Sequence, residues 1–161
     1  MMRCICRNIN AIFFLVALPL LAFQALADTA SYPLNLLDGL RDRIRENDSS
    51  VDDTLSKLED FFVNNTNDFE QARYLNLKSY HHILKQNYLA GYELLLEARE
   101  FANASNNILA LAESYRLEGL ILDFSGEHAN ALEALNRSLE LYNKVQSSRV
   151  LLVYSGKGTV T

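Results

Sequence analysis

The chain has 161 residues and a formal net charge of −5, a one-domain length with an acidic balance. Such a balance excludes the positive field that a nucleic-acid backbone or an anionic lipid surface requires. The two cysteines, Cys4 and Cys6, both fall near the start, so disulfides cannot staple the remaining chain and its stability must come from apolar burial.

Residues 1–27 read as a secretory signal peptide. Arg3 and Arg7 form a basic start, Ala11 to Phe23 is an apolar run, and Ala25-Leu26-Ala27 is a small-x-small cleavage pattern. The run is shorter than the ~20 residues a membrane-spanning helix needs, which favours a cleaved leader over an anchor. Cleavage before Asp28 removes both arginines and both cysteines, leaving a more acidic, thiol-free chain.

Asp28 to Pro33 is a polar lead-in, and no proline follows Pro33. Leucine, alanine, glutamate and asparagine dominate, and alternating β-branched runs are missing, which predicts an all-α fold. Helix breaks are expected at Asn47 to Ser50, Asn64 to Asp68, Gln86-Asn87, Asn103 to Asn107, Ser125 to Glu127 and Ser147-Ser148. Ser50-Val51-Asp52-Asp53 has the spacing of a capping box, with aspartate in place of glutamate. Leu132, Leu135, Leu139 and Tyr142 recur at helical spacing and predict one buried stripe.

Shifting the sequence against itself by 40 residues brings six columns into phase. Gly39, Ser79 and Gly119 are small. So are Gly91 and Ala131, in a column that begins with the slim Val51. Leu55, Leu95 and Leu135 are identical, and Leu58, Ala98 and Ser138 follow. Asp60, Glu100 and Glu140 are acidic, while Phe61, Phe101 and Leu141 are large and apolar. Small residues suit helix crossings, and large ones suit the space between stacked hairpins, none of which buries its apolar face alone.

From Tyr115 onward the sequence resembles a tetratricopeptide repeat. Tyr115 takes the first aromatic position, Gly119 the crossing glycine and Leu122 the next large site. Gly126 ends the first helix, Ala131 is the small residue of the second, and Leu135 is its large site. Ser138 replaces the usual alanine, Glu118 stands where leucine is usual, and His128 stands where an aromatic is usual. A weaker copy carries Ser79, Gly91, Leu95 and Ala98. The resemblance implies a right-handed solenoid over residues 34–161, in a long-period variant, with units near 34–65, 68–104 and 107–146 and a partial unit at 148–161. It also implies a concave surface lined by the first helix of each unit, carrying Arg73, Asn76, Tyr80, Glu113, Arg116 and Asp123.

The C-terminal Gly-Lys-Gly-Thr looks like the tip of a phosphate-binding loop. It fails that motif, because Leu151 and Gly158 occupy the places of its first glycine and its Ser or Thr. The repeat reads Val150 to Val160 instead as the first helix of an unfinished fourth unit, which suggests a longer reading frame. His81-His82 lacks a second ligand at four-residue spacing and does not predict a metal site. His128 is expected to pack, Asp52-Asp53 to favour a helix start, and Glu93, Glu97, Arg99 and Glu100 to form a solvated face. Sequons at Asn47, Asn64, Asn103 and Asn136 matter only in a eukaryotic secretory pathway.

No serine elbow, Cys-His pair or glycine-rich loop is present. The expectation is therefore an exported, non-catalytic domain without a cofactor that binds a protein or peptide, the bacterial periplasm being the compartment implied. A second expectation is the sensory region of a membrane signalling protein, ahead of a diguanylate cyclase or histidine kinase domain. A helical enzyme is the third, and it would need paired acids at a groove.

Overall fold

The computed structural model describes residues 35–156, with side chains over 35–147. The signal-peptide reading and Lys157 to Thr161 lie outside the described residues. A helical turn at 35–37 precedes six helices: α1 (Leu40–Arg45), α2 (Val51–Asn64), α3 (Asp68–Leu84), α4 (Tyr88–Ala104), α5 (Ile108–Phe124) and α6 (His128–Gly156). There is no strand among the described residues. The architecture is an all-α solenoid of helical hairpins, in which α3 packs most extensively on α4, and α5 on α6.

The helix ends explain the breaks. Four turns share one pair of backbone bonds, seen for example in Asn87 N to His82 O at 2.9 Å and Gln86 N to Ile83 O at 2.9 Å. The corresponding pair after α5 is Glu127 N to Leu122 O at 2.9 Å and Gly126 N to Asp123 O at 3.0 Å. These are Schellman closures, which place one residue in the left-handed region. That residue is Asn47, Gln86, Asn106 or Gly126, with φ of 55°, 61°, 54° and 81°. At the start of α3 the Asn67 side chain accepts from Glu70 N, and at the start of α5 Asn107 accepts from Ala110 N.

The period of 40 is a structural fact from α3 onward. Both α3 and α5 have 17 residues, and they start at Asp68 and Ile108. At the α3–α4 crossing the Ser79 hydroxyl donates to the Gly91 carbonyl at 2.8 Å. At the α5–α6 crossing a Cβ on Gly119 would lie 2.8 Å from Leu135 Cγ and 3.2 Å from the Ala131 carbonyl. The columns Val51/Gly91/Ala131 and Leu58/Ala98/Ser138 are buried throughout, and Asp60/Glu100/Glu140 is exposed throughout.

Gly39 departs from its column. It sits before α1 with φ +73°, and a Cβ there would meet nothing within 4 Å, so it serves a left-handed turn rather than a helix crossing. The capping box is also not formed. Ser50 makes no side-chain cap bond; Asp48 Oδ1 accepts from Ser50 N at 2.8 Å instead. Asp52, in the first turn of α2, accepts from Lys85 at 3.2 Å and pairs with His81 Nε2 at 2.8 Å.

Two further expectations are corrected. Helix α6 runs through Ser147-Ser148 to Gly156 without a turn. The Ser147 hydroxyl returns to the Asn143 carbonyl at 2.9 Å, a bond that lets serine sit inside a helix, and neither glycine nor proline intervenes before Gly156. Residues 148–156 therefore continue α6 and do not open a separate hairpin. The predicted buried stripe on α6 is instead largely open: Leu132, Leu135 and Leu139 are 61%, 42% and 57% exposed. Their equivalents on α4 are covered by α5, and no described helix lies in the matching place beside α6.

Candidate functional site

The first helices of the two regular hairpins, α3 and α5, are stitched side by side. Asn76 Nδ2 donates to the Ala110 carbonyl at 2.8 Å, and the Ser114 hydroxyl donates to Asn76 Oδ1 at 2.7 Å. Asn107 Nδ2 donates to the Phe69 carbonyl at 3.0 Å. These bonds satisfy groups that would otherwise be buried unpaired, and they hold open a groove of about 590 Å³ between α3, α5 and the α1 turn. Asp38, Arg41, Phe69, Arg73, Leu109, Glu113 and Tyr142 line it.

Glu113 is the hub. Its carboxylate accepts from Arg116 Nε at 2.9 Å and Nη2 at 2.7 Å, a two-pronged contact. Arg41 reaches the same carboxylate, and the Tyr142 hydroxyl donates to it at 3.1 Å. Burial pushes the Glu113 carboxyl up, but the Arg116 and Arg41 contacts outweigh it and hold the group below the ordinary carboxylate range. Burial, with the Glu113 charge beside it, pushes the Tyr142 phenol up to about 12. Glu113 is thus a fixed anion, and Tyr142 keeps its proton. Arg41 also lies over the Tyr80 ring, 5.7 Å from its centroid.

Arg73 is on the groove wall, bonded to Glu70 at 2.7 Å and to Asp38 at 3.4 Å. Phe69 and Leu109 stand 46% and 42% exposed beside it. Of the residues expected on this surface, Arg73, Asn76 and Glu113 line the groove, with Arg116 and Tyr80 joined to it through Glu113 and Arg41. Asn76 is only 3% exposed, and its polar atoms are committed to the stitch, so it forms floor rather than a free contact. Asp123 does not join them. It pairs with His128 Nδ1 at 2.8 Å near the α5–α6 turn, both side chains open to solvent.

Arg41 was not foreseen at this site, nor was Tyr142, which the sequence placed only in a buried stripe on α6. They reach Glu113 from α1 and from the far part of α6, and neither falls at a repeat column. Two surface readings change as well. His128 is an exposed partner of Asp123 rather than a packing residue. Arg99 does not belong to a solvated face: its side chain is 15% exposed, bonds Glu118 and stacks 4.2 Å from the centre of the Tyr115 ring. That pair also accounts for the acid at Glu118. His81 lies beside Asp52, and no group of three metal-ligating side chains occurs among the described residues.

No protein-family model matches the chain, and no curated protein or solved structure does either. The repeat is therefore read from the chain's own internal correspondence, with Ser79 crossing Gly91 as Gly119 crosses Ala131.

Proposed function

We propose that this chain is an exported, non-catalytic interaction module of tetratricopeptide type, which binds a peptide segment of a partner protein in the groove between α3 and α5. The carrying observation is the composition of that groove. Exposed Phe69 and Leu109 adjoin Arg73, over a floor whose polar atoms are satisfied. Apolar anchors beside a charged group are what a peptide site requires. The Glu113 network supports the reading from behind, because a carboxylate clamped by two arginines sets the groove wall in advance and lowers the ordering cost of binding. Export rests on the leader read in residues 1–27.

A screen of a displayed peptide library against the full chain tests this. A set of the enriched peptides should lose about tenfold or more in affinity for Leu109→Asp and for Arg73→Ala, and should bind Val63→Asp, an exposed site on α2 outside the groove lining, as tightly as the unmodified chain. If no enriched peptide loses affinity with either groove substitution, the groove is refuted as the binding site.

A further inference from the structure

The open apolar face of α6 has a counterpart within the molecule, and that counterpart is occupied. Tyr92, Leu95 and Arg99 of α4 stand 40 residues before Leu132, Leu135 and Leu139. All three meet α5. Leu95 is fully buried in a cluster with Leu117 and Ile121, Tyr92 packs against that cluster, and Arg99 bonds Glu118. The face is thus the continuation of an established interface, one that receives a helix.

We infer that Leu132, Leu135 and Leu139 dock an amphipathic helix of a partner protein, laid along α5 and α6 as α5 is laid along α3 and α4. Residues 148–156 are not the occupant, since they extend α6 itself. The substitutions between the two levels define the chemistry of the arriving helix. Where α4 offers Arg99 to the acid Glu118, α6 offers Leu139, so the partner carries an aliphatic residue there. Where α3 contributes buried Ile83 to the cluster, α5 contributes Asp123, which is 59% exposed beside His128. The partner therefore carries a lysine or arginine in its last turn, where a cation also complements the helix dipole. This surface is separate from the α3–α5 groove, so either can fail without the other.

The probe is a labelled peptide with the sequence of Ile108–Phe124 bearing Glu118→Leu and Ile121→Lys, titrated against the full chain by fluorescence anisotropy. Saturable binding is expected. It should weaken about tenfold or more with Leu132→Glu or Leu139→Glu in the chain, and Asp123→Asn should weaken it and blunt its salt dependence. Both leucines are more than half exposed, so the variants should keep the helical circular dichroism of the unmodified chain. An absence of binding, or binding indifferent to both leucine substitutions, overturns the inference. So does light scattering that reveals a dimer of the unmodified chain abolished by Leu132→Glu, because the occupant is then a second copy.

Discussion

Ser114 donates its hydroxyl to Asn76 Oδ1 at 2.7 Å, across the boundary between two hairpins, while Asn76 passes its own amide to the Ala110 carbonyl at 2.8 Å. Ser114 is fully buried and Asn76 is 3% exposed. Replacing Asn76 with leucine removes both bonds, after which the Ser114 hydroxyl keeps only the Ala110 carbonyl, 3.0 Å away, and each buried hydrogen bond lost costs about 1 kcal/mol. Chemical denaturation of Asn76→Leu should show a loss of roughly 2 kcal/mol. Ser114→Ala alone should cost about 1 kcal/mol. The double variant should fall short of the sum, because the two residues share a bond. Additive losses would mean that the bond contributes nothing of its own.

The turn after α3 holds Gln86 at φ 61°, where the equivalent turn after α5 has Gly126 at φ 81°. A side chain in the left-handed region costs roughly 1–2 kcal/mol relative to glycine. Glycine loses part of that gain through the freedom of its unfolded state. Gln86→Gly should therefore stabilise the chain by about 0.5–1 kcal/mol, and Gly126→Gln should destabilise it by a similar amount. Thermal melts of the two variants should move in opposite directions.

These turns show why the helix boundaries were legible. Asparagine tolerates the left-handed region, and Asn47, Asn106 and Gly126 announce their closures; Asn67 and Asn107 announce the helix starts. The burial columns were legible because each is fixed by the local helix crossing. What escaped depends on distant chain. Leu135 has the sequence signature of Leu95, but its burial depends on a neighbouring helix that no local pattern reports. Arg41 and Tyr142 reach Glu113 across 72 and 29 residues, from places no repeat column marks. Ser147-Ser148 misled because serine ends a helix only where its hydroxyl does not bond back within it.

Glu113 makes stability depend on acid. Its folded carboxyl titrates below the ordinary 4.5, so as pH falls the unfolded chain takes up this proton first. The contribution is complete above the unfolded value and is lost as pH falls through the folded one. Glu113→Gln should flatten the decline in stability below about pH 4.5. At neutral pH the same change should cost about 2 kcal/mol, a figure reduced from that of a fully buried pair because Arg41 is partly solvated. An unchanged acid limb of the stability curve would show that Glu113 does not carry the linkage.

Leu95 and Leu135 offer the sharpest comparison, being the same residue at the same repeat position. Leu95 is 0% exposed beneath α5, and Leu135 is 42% exposed. Leu95→Ala leaves a cavity among Ile83, Leu117 and Ile121 and should cost about 3 kcal/mol. Leu135→Ala loses mainly its contact with Gly119, at a site that solvent can refill, and should cost about 1 kcal/mol. That gap should narrow once the α6 face is covered. In the presence of saturating helical peptide, Leu135→Ala should lose both stability and affinity, because the burial it forgoes then resembles that of Leu95. Equal costs for the two substitutions in the free chain would mean that the α6 face is already covered there.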